Sequence, residues 1–178
     1  AGHSHTVDPH VWLDPVLAQT EVSTIAEGLA EADPDNAEDY LENAGIYNGK
    51  LNELDEAFRA AFEGTENRTF VTQHAAFAYL AARYDLNQIS VTGLNAEVEP
   101  SAAALATLSD YVKANNISHI YFENNASSQT AETLAEEVGV ELAVLSPLEG
   151  ITEEDQKKGS DYISVMLENL EALKKSIN

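Results

Sequence analysis

From Gly64 onward the chain alternates between short apolar runs and amphipathic helical patterns, and this alternation constrains the fold more than any other feature. The apolar runs predict strands at residues 70–72, 88–91, 119–122 and 141–145. The amphipathic stretches predict helices at residues 75–84, 101–115, 128–138 and 159–176. Strands that alternate with helices form a parallel sheet with right-handed crossovers. The sequence therefore predicts an α/β fold, with a parallel four-stranded sheet and flanking helices.

Two helices are predicted before this sheet. The Asp-Pro pair at residues 14–15 supplies an N-cap and a proline at the first helical position, and the helix extends to about residue 32. A second Asp-Pro pair at residues 33–34 repeats the signal, and apolar residues at helical spacing continue over 35–63. About 28 residues give a helix about 42 Å long, which suits a strut between two lobes.

Composition excludes several classes of function. The chain of 178 residues has 31 acidic and 9 basic residues and a formal net charge of -22, so its surface repels nucleic acid and anionic lipid. It has no cysteine, which rules out disulfides, thiolate metal sites and a cysteine nucleophile. No apolar run approaches the roughly 18 residues of a membrane span. Since the sequence starts at Ala1 without methionine, we expect a processed chain or a fragment.

Polar side chains follow three of the predicted strands at their carboxyl ends. His74 comes after the strand at 70–72, and Glu123 and Glu149 follow later strands. In a parallel sheet these ends meet at one edge, where ligands bind. Nitrogen and oxygen ligands without sulfur suit Zn²⁺, Mn²⁺ or Fe²⁺, and a nitrogen-rich site favours zinc.

Each of these residues also has a structural interpretation. His74 could be a half-buried turn residue, and Glu149 could be a solvated acid of a turn. For Glu123 a structural role is favoured, in which it accepts backbone N–H bonds from the loop that follows. His119 begins a strand at the opposite edge, and Asp161 suits the electrostatics of a helix start, so both are interpreted as structural.

The segment before the first helix contains a third candidate. His10 follows Asp8-Pro9 and precedes Trp12, the only tryptophan. Alternating apolar residues predict an extended segment on which His10 and Trp12 share one side. A rigid turn and a bulky ring would hold this imidazole in place, whereas His3 and His5 stand in a flexible Gly/Ser context.

Five ordered segments resemble one known family. They are DPHVWLDP, QHAAFAYLAARY, GLNAEVEPS, IYFENNASSQTAETLAEEVGV, and PLEG before DYISVMLENLEALKK. The sequence is similar to the zinc-type metal-binding receptors of bacterial ABC transporters, a group that includes manganese-type receptors and adhesin-like lipoproteins. The resemblance implies two β/α lobes joined by one long helix. Residues 1–14 would end a His-rich loop and form the DPHVW segment, 15–63 would contain the interlobe helix, and 64–178 would form the C-terminal lobe.

The resemblance also implies a ligand set. It places metal ligands at His10, His74 and Glu149, and it favours Zn²⁺ over Mn²⁺ because manganese-type members tend to carry Glu at the position of His74. His3 and His5 would end a loop that captures metal at low affinity. Family members have an N-terminal lobe with another histidine ligand, which nothing before Ala1 supplies, so we expect weaker zinc binding than in a full receptor.

The implied function is that of a non-catalytic extracytoplasmic receptor, either periplasmic or a cell-surface lipoprotein. It would capture Zn²⁺ and deliver it to the membrane permease of an ABC-type importer. The motifs of common enzymes are absent from the sequence. Two alternatives stay open: a metal-dependent hydrolase with Glu123 or Glu149 as base, and an acidic adhesin-like surface module that binds Ca²⁺ or a host protein.

Overall fold

Four strands form one parallel sheet in the computed structural model, which describes residues 7–91, 102–115, 117–123 and 135–178. The strands are β1 (Thr69–Thr72), β2 (Asn87–Ser90), β3 (His119–Phe122) and β4 (Glu141–Val144). Their order is β2-β1-β3-β4, and each neighbouring pair is parallel. This confirms the predicted sheet.

Helices precede the sheet, connect its strands and follow it. They are α1 (Pro15–Ala32), α2 (Ala37–Phe62), α3 (Ala78–Arg83), α4 (Ala102–Asn115), α5 (Glu153–Lys158) and α6 (Tyr162–Leu173). The predicted long helix is present as α2, with 26 residues. Of the helix predicted at 128–138, only residues 135–138 lie in the described ranges, and they are helical. Among the described residues, no helix is long and apolar enough to cross a membrane.

The segment around His10 is not extended, and this prediction was wrong. Val11–Leu13 form a 3-10 helix that starts after His10. The Asp8 carboxylate accepts the backbone N–H of His10 at 3.0 Å, which bends the chain before the helix. The rings of His10 and Trp12 still lie on one side, with their centroids 5.3 Å apart.

Two of the predicted helices are shorter in the structure. Residues 75–77 form turns, so α3 starts at Ala78. The last helix starts at Tyr162 because Gly159, at φ +79°, ends the short helix α5. Asp161 then caps α6 in a reciprocal capping box with Ser164, which fits its predicted helix-start role.

Alternate residues of the central strands enter two different hydrophobic clusters. Phe70 and Tyr121 join the larger cluster, which includes residues of α2, α3 and α6. Val71 and Ile120 join the second cluster, which includes residues of α4. Burial on both faces fixes the register of β1 and β3, with Val71 opposite Ile120. The residues after these two strands are therefore held side by side.

Candidate metal centre

His74 lies just beyond the end of β1, beside the end of β3. Its side chain is 2% exposed, and its Nδ1 contacts Oε1 of Glu123, which is itself buried. The Thr72 hydroxyl donates a 2.7 Å hydrogen bond to the carbonyl of His74, which fixes the backbone of the turn. A carboxylate on Nδ1 selects the tautomer with a proton there, so Nε2 is available to a cation.

His10 approaches the same place from the turn before the 3-10 helix. It is 3% exposed, and its Nδ1 lies 2.7 Å from Oδ1 of Asp8. The hydroxyl of Tyr79 donates to the carbonyl of Asp8 at 3.2 Å, which ties this turn to α3. His10 is therefore oriented as His74 is, with a carboxylate on Nδ1 and with Nε2 directed inward.

Glu149 lies on the loop after β4 and reaches both histidines with one oxygen. Its Oε1 is 3.0 Å from Nε2 of His10 and 3.8 Å from Nε2 of His74. The preceding residue, Leu148, has φ +53°. The Glu149 side chain is 40% exposed, so the site opens to solvent on this side.

The three side chains form a compact set of potential metal ligands. Each of His10, His74 and Glu149 offers one ligand atom, and these atoms all lie within 4.8 Å of one another. A lone pair on Nε2 and a carboxylate oxygen repel each other unless a proton or a metal cation lies between them. Metal-binding histidines usually carry a carboxylate or carbonyl on the other ring nitrogen, which is the arrangement of both histidines here.

The structure gives Glu123 a role that the sequence did not predict. The loop that it was expected to hold, residues 124–134, lies outside the described residues. The described contact of Glu123 is with Nδ1 of His74. Asp8 was also missed as the partner of His10, although a carboxylate two residues before a histidine was a usable signal.

The other candidates of the sequence lie away from this site or outside the described ranges. His119 is at the start of β3, where its Nε2 is 3.4 Å from Oε2 of Glu141, so it pairs across the sheet. His3 and His5 fall on residues that the structure does not describe.

Two curated bacterial proteins are similar to nearly the whole chain. A zinc-binding protein AdcA of Streptococcus pyogenes serotype M6 is 53% identical over 173 residues, which are 97% of this chain and 34% of that protein. The high-affinity zinc uptake system protein ZnuA of Bacillus subtilis is 50% identical over 174 residues, which are 98% of this chain and 54% of that protein. The chain thus spans about a third to a half of these relatives.

A solved structure and a family model agree with these similarities. The crystal structure of the Zn(II)-bound ZnuA-like domain of Streptococcus pneumoniae AdcA matches with a TM-score of 0.85 and 49% identity, over 98% of this chain and 65% of that one. The model of the family described as zinc-uptake complex component A, periplasmic (ZnuA), matches residues 1–176. The chain therefore belongs to the ZnuA family of zinc-uptake complex components.

Proposed function

We propose that this chain is the metal-binding part of an extracytoplasmic receptor for zinc, with His10, His74 and Glu149 as ligands. It captures Zn²⁺ and delivers it to the membrane permease of an ABC-type importer. One observation carries the proposal: two buried imidazoles, each with Nδ1 on a carboxylate, direct Nε2 toward one oxygen of Glu149. The zinc-binding and zinc-uptake names of the relatives support the choice of ion and role.

The spacing of the ligand atoms supports zinc. Two ligands about 2.0 Å from a tetrahedral Zn²⁺ lie about 3.3 Å apart. The distances from Oε1 of Glu149 to the two histidine Nε2 atoms, 3.0 and 3.8 Å, bracket this value. Two nitrogens and one oxygen favour zinc over manganese, which prefers oxygen ligands.

The same set suits a cargo that must be released. Three protein ligands leave one coordination position for water or for a group from outside the described residues. Glu149, on a loop and 40% exposed, is the ligand through which zinc can enter and leave. Protons compete for the imidazole nitrogens, so zinc affinity should fall as the solution becomes more acidic.

The neighbouring carboxylates favour binding over hydrolysis. A zinc hydrolase needs a base that lies close to the metal-bound water without being a ligand. Asp8 and Glu123 each contact a histidine Nδ1, and Glu149 lies among the proposed ligands. The described carboxylates of the site are therefore all engaged in roles other than that of a base.

Isothermal titration of the metal-stripped chain with Zn²⁺ and Mn²⁺ tests the proposal. We expect about one equivalent of zinc with weaker manganese binding, and loss of the zinc site in His74→Ala. His119→Ala is the matched control, because it removes a histidine at the opposite end of the sheet. Zinc binding that His74→Ala leaves unchanged, or that is absent from the wild-type chain, would contradict the proposed function.

A further inference from the structure

Trp12 contacts both segments that carry the proposed ligands His10 and Glu149. Its ring lies against the ring of His10, with a centroid distance of 5.3 Å. Its indole Nε1–H donates a 2.8 Å hydrogen bond to the carbonyl of Pro147, two residues before Glu149. The backbone of Trp12 is held in turn, because the hydroxyl of Tyr162 donates to its carbonyl at 2.6 Å.

A second side chain, that of Asn169, binds the loop that carries Glu149 at Ser146, one residue before Pro147. Asn169, buried in α6, donates from Nδ2 to the carbonyl of Ser146 and accepts the backbone N–H of Ser146 at Oδ1, both at 2.8 Å. These bonds fix Ser146 to α6 as a neighbouring strand would. They do not reach the DPHVW segment, so Trp12 alone among these contacts joins the loop to the segment that holds His10.

We propose that Trp12 is a positioning residue for Glu149, and that its indole N–H sets the distance between the Glu149 carboxylate and the imidazole of His10. The inference rests on the proposed function and names a determinant of affinity within that site. Glu149 needs such a support because it extends from a loop without regular structure and is the most exposed of the three ligands. A partner behind a metal ligand typically changes metal affinity 10-fold to 100-fold.

Trp12→Phe is the direct test, since it keeps an aromatic ring beside His10 and removes the N–H that binds Pro147. We expect zinc affinity to fall about 10-fold in a competition titration with a chelator. Tyr121→Phe is the matched control: it removes a buried hydroxyl that binds Ala172 in the last turn of α6 and Ser176 just after this helix. This control should lose comparable stability and keep its zinc affinity.

A double-mutant cycle separates positioning from a general structural effect. If Trp12 acts through Glu149, the loss caused by Trp12→Phe should disappear when Glu149 is already replaced by Gln. An equal loss in both backgrounds, or wild-type affinity in Trp12→Phe, overturns the inference while the proposed function stands. Loss of zinc binding by His74→Ala in the same assay shows separately that the site itself is correct.

Hydrogen exchange of the metal-free chain gives a measurement that does not depend on zinc. The amide of Ser146, buried and bonded to Asn169, should exchange faster in Trp12→Phe because the loop loses its hydrogen bond to the indole N–H. In Tyr121→Phe its rate should stay close to that of the wild type. Unchanged exchange at Ser146 in Trp12→Phe would show that the indole N–H does not hold the loop and would overturn the inference.

Discussion

Asp8 and Glu123 each contact Nδ1 of one histidine, which leaves Nε2 as the nitrogen available to a cation in the proposed site. An imidazole with Nδ1–H bound to a carboxylate has its lone pair on Nε2 and cannot rotate without breaking that bond. Carboxylate partners of this kind, hydrogen-bonded to the second ring nitrogen, fix the orientation of metal-binding histidines and typically change metal affinity 10-fold to 100-fold. Because His10 and His74 are both buried, the orientation is set before any metal arrives.

Asp8→Ala should lower zinc affinity about 10-fold to 100-fold, because His10 loses the partner on Nδ1 at 2.7 Å. Asp8→Asn, which keeps an oxygen acceptor without the charge, should lose less. The measurement is a chelator competition titration at neutral pH.

The matched control for Asp8→Ala is Glu141→Ala, which removes a carboxylate from His119 instead, at 3.4 Å and far from the site. Zinc affinity should stay unchanged in this variant. Equal affinities of Asp8→Ala and the wild type would show that the Asp8 carboxylate does not orient His10.

The sequence singled out His10, His74 and Glu149, and these are the residues that the structure brings within 4.8 Å. Position relative to the strands made His74, Glu123 and Glu149 candidates, since parallel strands end at one edge, and the family resemblance then assigned His74 and Glu149 as ligands. His10 depended more on the family resemblance. The contact of Glu123 with His74 could not be predicted, because it depends on rotamers and on turn geometry that periodicity does not encode. Asp8 was missed although its place two residues before His10 was a usable signal.

At the scale of elements, the capping box of Asp161 and Ser164 fixes the start of α6. The Asp161 carboxylate accepts the backbone N–H of Ser164 at 2.8 Å, and the Ser164 hydroxyl accepts the N–H of Asp161 at 2.8 Å. The pKa of Asp161 is lowered, chiefly because of the hydrogen bond from the Ser164 backbone. The cap bears on the site because α6 also carries Asn169, which hydrogen-bonds Ser146 in the loop that carries Glu149.

Asp161→Asn should reduce stability at pH 7 by about 0.5 kcal/mol, since the amide can still accept the N–H but lacks the charge that the helix N-terminus favours. The folded pKa of Asp161 lies below its unfolded value of about 3.9. Its stabilisation is therefore present above that value and is lost as the pH falls through the folded pKa. Urea unfolding should show a difference between the two chains at pH 7 that shrinks as the pH falls below about 3.9. A difference that stays constant down to acidic pH would contradict this explanation.

Strands were easier to predict than short helices. The four strands lie within one residue of their predicted bounds. β1 and β3 are each buried over three of their four residues and appear in the sequence as compact runs of strand-forming residues. The 3-10 helix Val11–Leu13 and the six-residue helix α5 were missed. Elements of one or two turns are too short for a helical periodicity, and side-chain caps such as Thr152 at the start of α5 determine them instead.

At the scale of the whole molecule, Arg68 joins the end of the long helix to the β/α part of the chain. Its guanidinium donates to the carbonyl of Phe62, the last residue of α2, at 3.0 Å. It also donates to the carbonyls of Tyr84 and Asp85, just after α3, at 3.0 and 3.3 Å. These carbonyls lie at helix ends, where no further turn supplies a donor. The Arg68 side chain, just before β1, therefore donates hydrogen bonds to carbonyls at the C-terminal ends of both α2 and α3.

Arg68 and His74 lie beyond opposite ends of β1, whose four residues span about 10 Å at about 3.3 Å per residue. Arg68→Ala should therefore separate stability from metal binding. We expect the free energy of unfolding to fall by about 2 kcal/mol, because three carbonyls lose a charged donor. Zinc affinity should remain that of the wild type. Urea unfolding and a chelator competition titration on the same samples measure the two quantities.

Arg68→Lys distinguishes the geometry of the guanidinium from its charge. An ammonium keeps the positive charge but cannot present a planar fork of donors to three carbonyls, so most of the stability should still be lost. If the lysine variant is as stable as the wild type, the stabilisation comes from the charge of Arg68 and not from the planar geometry of its guanidinium. If either variant also loses zinc affinity, the junction of α2 with the sheet is coupled to the site through β1, and stability and metal binding are not independent.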